Sequence, residues 1–217
     1  MPVITVERKV LAKNDEVAAA NRELFGKRGL FTINMLSSPG SGKTTLIEKT
    51  LGLLNPELRV QVIEGDIQTD LDAQRVSALG VPVVQIVTNG ACHLEAQLVQ
   101  DSFRQLPDEP ADLLIIENVG NLVCPSGYDL GEDLKVVVLS ITEGADKPLK
   151  YPKMFRNATV LLINKSDLEP YVDCKVADVK ANALSINPDL TVFAVSARSG
   201  AGLADWVKWL EGKAGRR

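Results

Sequence analysis

Apolar residues in this chain come in short runs, separated by longer stretches of mixed character. The runs at Phe31–Leu36, Val60–Ile63, Val83–Val87, Leu113–Glu117, Val136–Ile141, Val160–Asn164 and Val192–Ser196 are dominated by Val, Ile and Leu, as in strands buried on both faces. Between most of them lie stretches that read as helical: Lys43–Leu54, Thr69–Leu79, Leu94–Leu106, Tyr151–Asn157, Val172–Ile186 and Leu203–Leu210. Seven strands alternating with helices predict an α/β fold with a doubly wound, mostly parallel sheet. Upstream, Asn14–Lys27 reads as a further helix, with Asn14 as its N-cap and Val17, Ala20, Asn21 and Leu24 on one face. The expected division is a helical extension over residues 1–29, packed on the core, and a single domain over 30–217.

Composition narrows the class of protein. Of 217 residues 45% are apolar, 24% charged and only 5% aromatic, which suits an aliphatic core and excludes a disordered or fibrous chain. A net charge of −4, with no basic cluster beyond pairs such as Arg216-Arg217, argues against a nucleic-acid partner. No apolar run approaches the ~20 residues of a membrane span, and residues 1–30 lack a signal-peptide core, so a cytoplasmic protein without a membrane partner is expected. The three cysteines, Cys92, Cys124 and Cys174, then suggest metal binding or inert burial rather than disulfides.

Between the first predicted strand and its helix stands Ser37-Ser38-Pro39-Gly40-Ser41-Gly42-Lys43-Thr44-Thr45. This fits a phosphate-binding loop: the glycines let backbone N–H groups face phosphate oxygens, Lys43 reaches the β and γ phosphates, and Thr44 ligates Mg²⁺. Pro39, Gly40, Ser41, Gly42 and Thr45 complete the cradle. The departure is Ser37, where the usual pattern has glycine.

At the end of the sixth predicted strand, Asn164-Lys165-Ser166-Asp167 looks like the Asn-Lys-x-Asp signature of GTPases. Ser196-Ala197-Arg198 is similar to the Ser-Ala-Lys element that accompanies it. Guanine offers two adjacent donors that the Asp167 carboxylate can accept, whereas adenine offers none in that place. The expected nucleotides are therefore GTP and GDP, with Lys165 lying along the base.

Acidic segments follow the second and fourth predicted strands, at Glu64-Gly65-Asp66 and Ile116-Glu117-Asn118-Val119-Gly120. In a doubly wound sheet these loops share a rim with the phosphate loop, which makes Asp66 and Glu117 candidates, with Lys43, for the hydrolytic chemistry. They are also candidate Mg²⁺ ligands. Asp72 is either a further Mg²⁺ ligand or a solvated carboxylate on a helix face. Gly120 is expected to sense the γ-phosphate. No glutamine follows it to orient an attacking water, so unaided hydrolysis is expected to be slow.

On the same rim lie Cys92-His93 and, in Asn121-Leu122-Val123-Cys124-Pro125, Cys124. Thiolate and imidazole suit Ni²⁺ or Zn²⁺, but three ligands leave a position for water, a carboxylate or a second copy of the chain. Two buried cysteines and a satisfied histidine without metal are the open alternative. Cys174, in a polar stretch, has no sequence partner.

Taken in order, Ser-Pro-Gly-Ser-Gly-Lys-Thr-Thr, Glu-Gly-Asp, Thr-Asn-Gly-Ala-Cys-His-Leu, Ile-Glu-Asn-Val-Gly-Asn-Leu-Val-Cys-Pro and Asn-Lys-Ser-Asp resemble the hydrogenase nickel-incorporation GTPases, the HypB family of SIMIBE-class P-loop proteins related to UreG. The likeness spans roughly residues 30–200. It implies a GTPase domain and a homodimer when GTP is bound. It also implies Ni²⁺ or Zn²⁺ on Cys92, His93 and Cys124 at the dimer interface, and nickel delivery to [NiFe]-hydrogenase with a partner nickel metallochaperone and the hydrogenase large subunit. Met1–Asn14 holds neither a Cys-x-x-Cys cluster nor a histidine-rich stretch, so the interface site is the expected metal-handling feature. The rival readings are a sister maturation GTPase for urease or a cobalamin enzyme, a P-loop small-molecule kinase, and a non-catalytic metal-binding dimer.

Overall fold

A computed structural model describes residues 6–68 and 71–215; Thr69, Asp70 and the Arg216-Arg217 pair lie outside the described residues. Seven strands, β1 (Phe31–Ser37), β2 (Val60–Asp66), β3 (Val83–Val87), β4 (Leu113–Glu117), β5 (Leu134–Ser140), β6 (Val160–Asn164) and β7 (Thr191–Ala194), form one sheet in the order β3-β2-β4-β1-β5-β6-β7. Every neighbouring pair is parallel, so the α/β reading holds, and among the described residues the sheet carries no antiparallel edge. The helices are α1 (Val6–Lys27), α2 (Lys43–Leu51), α3 (Leu71–Ser77), α4 (Ala96–Phe103), α5 (Lys147–Lys150), α6 (Pro152–Arg156), α7 (Val176–Ile186) and α8 (Leu203–Ala214).

Successive strand residues face opposite ways, so each strand feeds two cores. Ile33, Met35, Ile115, Val136, Val138 and Leu162 pack with Leu46 and Ile47 of α2, Val76 of α3 and Trp206 of α8. On the other face Ile63, Leu114 and Ile116 meet Phe25 of α1 and Phe103 of α4, while Val137, Leu139 and Leu161 meet Phe155 of α6 and Val179 of α7. β1 lies between β4 and β5, so the chain leaves β1 toward one edge and leaves β4 toward the other. Such a reversal opens a crevice at the carboxyl ends of the central strands.

Two elements differ from the sequence expectation. The helix expected over 151–157 is α6, but a short helix that the sequence did not suggest, α5, precedes it and ends at Tyr151; Pro152 opens α6, where a missing N–H costs nothing. Asn14 is not an N-cap, because α1 already begins at Val6. It is buried within α1, donating from Nδ2 to Asp129 O (2.7 Å) and accepting the Ala96 N–H at Oδ1 (2.8 Å). Two turns on, Asn21 Nδ2 donates to Ala96 O (2.8 Å) and Leu130 O (3.0 Å), and its Oδ1 accepts from Gln100 Nε2 (2.9 Å). The two asparagines serve tertiary backbone groups that packing has removed from water. Among the described residues no helix is long and apolar enough to cross a membrane.

Replacing Asn21 by alanine strands the Ala96 and Leu130 carbonyls in a dry contact and is expected to lower unfolding stability by about 1–3 kcal/mol. Urea unfolding followed by circular dichroism reads this; an unchanged midpoint would contradict the role given to Asn21.

Candidate nucleotide and metal site

The loop leaving β1 turns at Gly40 (φ 73°) and Gly42 (φ 88°), both in the left-handed region that only glycine enters freely. A Cβ on Gly42 would also stand 2.7 Å from Asn164 Nδ2, so the close approach itself demands glycine. Ser37 still belongs to β1, paired in register with Val138, which is why serine serves where the usual pattern has glycine. No side chain caps α2, so its first N–H groups are left to an anion. The loop walls a cleft of about 530 Å³ completed by residues 66–68, Asp72, Arg75, Val119 and Gly120.

Below this cleft the acidic candidates converge. Glu117, at the end of β4 and 1% exposed, receives Lys43 Nζ at 2.7 Å on Oε1. The Thr44 hydroxyl lies 2.7 Å from the same oxygen and 3.0 Å from Asp72 Oδ2. One hydroxyl proton can satisfy only one of two carboxylates, so an acceptor-against-acceptor contact remains. Glu117 Oε2 and Glu64 Oε2 are buried without a hydrogen bond. Ligand oxygens of Glu64, Asp66 and Asp72 lie within 4.8 Å of one another. This crowd of hard oxygen donors around a hydroxyl fits a divalent cation such as Mg²⁺. Burial, reinforced by the Glu117 charge, pushes the Glu64 carboxyl up to about 8, so Glu64 keeps its proton at neutral pH.

The predicted base-binding elements are stitched to the phosphate loop. Asn164 Nδ2 donates to Ser41 O (2.9 Å), its Oδ1 accepts the Ala197 N–H (3.1 Å), and Lys165 Nζ reaches Gly40 O (2.8 Å). Lys165 itself is left-handed, with φ 59°. Ser196 Oγ donates to Asp167 Oδ1 at 2.6 Å, holding that carboxylate beside the loop after β7.

Cys92, His93 and Cys124 also come together, with ligand atoms within 4.8 Å of one another and all three half-buried. Cys92 and His93 follow the turn after β3, where Asn89 (φ 51°) and Gly90 (φ 104°) reverse the chain and Thr88 Oγ1 donates to Ala91 O. Cys124 opens a 3-10 turn, Cys124–Gly127, with its N–H on Asn121 Oδ1 (3.2 Å). The neighbouring Cys92 thiol and burial raise the Cys124 pKa, while burial lowers that of His93. The His93 ring lies against Tyr128, centroids 4.0 Å apart, and its buried Nε2 makes no hydrogen bond. Two thiols and a neutral imidazole with a free nitrogen form a soft donor set. Cys174 stands outside this group.

Sequence reasoning passed over Glu64, Arg75 and Asn118. Arg75 lines the cleft and pairs with Glu48 (2.5 Å) and Asp72 (2.9 Å); its position on α3 as an ordinary surface arginine gave no signal. Glu64 sat in the acidic segment, but only the fold shows that it faces Glu117. Asn118 directly follows Glu117, and adjacency to that residue was the one available hint.

Residues 31–194 match the model of the CobW/HypB/UreG nucleotide-binding domain. Among relatives, a hydrogenase maturation factor HypB of Azotobacter chroococcum is 52% identical over 99% of this chain and 70% of its own length. The crystal structure of HypB from Helicobacter pylori in complex with nickel superposes with a TM-score of 0.88 at 43% identity, covering 93% of this chain and 95% of that one. The hydrogenase maturation factor HypB of Archaeoglobus fulgidus gives 0.88 at 37% identity, over 94% and 100%. With the phosphate loop, the carboxylate cluster and the Cys-His-Cys group already in place, these likenesses establish that the chain belongs to the CobW/HypB/UreG family of nucleotide-binding proteins, on its HypB branch.

Proposed function

We propose that the chain is a GTP-hydrolysing metallochaperone that carries nickel for [NiFe]-hydrogenase maturation, with nucleotide state governing a Ni²⁺ or Zn²⁺ site on Cys92, His93 and Cys124. One observation carries the reading: the soft cluster and the phosphate cleft share a segment, since Glu117, which holds Lys43 and Thr44, lies seven residues before Cys124. The nickel complex of the Helicobacter pylori relative supports it.

In this reading Lys43 leaves Glu117 for the β and γ phosphates, while the N–H groups around residues 40–44 cradle them and the Gly120 N–H faces the γ-phosphate. Thr44 with Asp66, Asp72 and Glu117 would hold Mg²⁺, which would supply positive charge against the phosphates. Asp167 accepts the two guanine donors, Lys165 lies along the base, and Ser196 and Ala197 close that end. Release of Glu117 shifts the segment to Cys124, so a phosphate event reaches a metal ligand. A GTP-bound homodimer supplies the coordination that one chain lacks. The partner metallochaperone and the hydrogenase large subunit are the remaining partners of this scheme, set in the cytoplasm.

Cys124→Ala is expected to weaken Ni²⁺ binding by more than about tenfold, beyond the loss of an outer partner, with GTP affinity held. Isothermal titration with and without a non-hydrolysable GTP analogue measures this, and unchanged nickel affinity would remove the metal half of the proposal. Asp167→Ala is expected to cost GTP about 10–100-fold, the worth of charge-assisted hydrogen bonds to the base. A parent that binds ATP as tightly as GTP would overturn guanine specificity. Labelled γ-phosphate should appear in inorganic phosphate; transfer to a metabolite would favour a kinase instead.

A further inference from the structure

We infer that Asn118 is the positioning residue that ties the phosphate-facing turn to the metal-ligand loop, through two backbone N–H groups sharing its side-chain oxygen. The inference rests on the nucleotide-gated reading for its use, and on geometry for its existence. Asn118 follows β4 and is fully buried. Its Oδ1 accepts the Leu94 N–H at 3.2 Å and the Val119 N–H at 3.0 Å. One of these residues adjoins His93; the other adjoins Gly120.

The amide cannot turn over. Its Nδ2 donates to Asn34 Oδ1 (3.3 Å), and Asn34 Nδ2 donates in turn to Glu132 Oε1 (3.3 Å), so a flip would set NH₂ against two N–H donors. Its own N–H is held by Met35 O of β1 at 3.0 Å. Asn118 is therefore a fixed joint between β1, β4 and the loop after β3.

Both sides of the joint are arranged to pass on a displacement. On the nucleotide side Val119 and Gly120 line the cleft, and a Cβ on Gly120 would stand 3.2 Å from Pro39 Cα. A group drawing the Gly120 N–H toward the cleft therefore pulls on the Val119 bond to Asn118. On the metal side, Leu94 is fully buried against β2, close enough that a Cβ on Gly65 would meet its Cδ1 at 2.8 Å. Beyond Leu94 the chain is clamped at Ala96, whose N–H is held by Asn14 and whose carbonyl is held by Asn21. Upstream of His93 the chain is bonded at the Thr88–Ala91 turn, whose hydrogen bonds do not reach Cys92 or His93. A shift of the Leu94 peptide is thus delivered to His93 and Cys92 rather than absorbed in α4. In this inference the Val119–Gly120 turn is the element that phosphate biases from one side and ligand position from the other.

The chain has one histidine, so carbon-resolved NMR of the metal-free, full-length protein at about pH 8 reports the neutral His93 ring without ambiguity. In the parent, exchanging GDP for a non-hydrolysable GTP analogue with Mg²⁺ should displace the ring signals. In Asn118→Ala at least about half of that displacement should vanish while GDP affinity stays within about threefold, a split that loss of packing alone would not give. If Asn118→Ala melts below the measuring temperature, Asn118→Ser, whose hydroxyl is too short to serve both N–H groups, is read by the same rule. A parent whose ring signals do not move, or a variant that keeps the full displacement, overturns the inference. Because no nickel is present, its failure is separable from failure of the metal proposal, which the Cys124→Ala titration decides.

Discussion

An ammonium and a carboxylate meet at 2.7 Å, almost wholly out of water, where β1 and β4 lie side by side. The Lys43–Glu117 pair is the contact around which the rim is organised. A buried ion pair gains little net stability, since desolvation of both charges offsets their attraction, yet removing one partner alone leaves a charge stranded in the interior. Whatever takes Lys43 away must therefore leave Glu117 compensated. The Thr44 hydroxyl and Asp72 place a second set of oxygens beside Glu117, donors of the hard kind that a cation takes. In the proposed cycle a cation held by Glu117 would replace Lys43 there, an exchange of partners that electrostatics would favour.

Why this contact lies near the Cys92-His93-Cys124 group follows from the strand order. β4 sits between β1 and β2, so the loop after Glu117 runs between the phosphate loop and the loop after β3. Parallel strands put all three loops at one rim. The soft ligands then fall within reach of each other although Cys92 and Cys124 are far apart in sequence. Burial does the rest, lowering the His93 pKa so that the imidazole is neutral, the form that binds metal, at physiological pH.

Much of this was legible beforehand, and the reason is local. The strands announce themselves as aliphatic runs, and the phosphate loop is set by residues adjacent in sequence, Gly40 to Thr45, whose backbone requirements are their own. What could not be read depended on partners brought in by the fold. Asn14 carries the same signal as an N-cap, because a side-chain amide that would cap a helix is equally able to bind a distant Ala96 N–H. Glu64 looked like one more acidic residue; only its burial beside Glu117 makes it hold a proton. The helix after Tyr151 was read where it lies, but α5 before it was not, since the four residues Lys147–Lys150 are too few to show a helical period.

The guanine-type motif shows how one short signature can divide its labour. Asn164 spends its amide on Ser41 O and the Ala197 N–H, and Lys165 spends its ammonium on Gly40 O, so both bind protein rather than ligand. Their effect is to lock the phosphate loop, the β6 end and the β7 loop into one body before any nucleotide arrives. That leaves Asp167 as the group with capacity to spare: Ser196 Oγ occupies Oδ1, and a carboxylate accepts several hydrogen bonds. The Asp167 carboxylate is preorganised for the proposed base recognition, being oriented by Ser196 on a loop fixed by the residues just before it. The close approach of Gly42 to Asn164 is the cost of that rigidity, and it explains why the turn tolerates no side chain at Gly42 while Gly40, with open space around it, is constrained by its backbone angle alone.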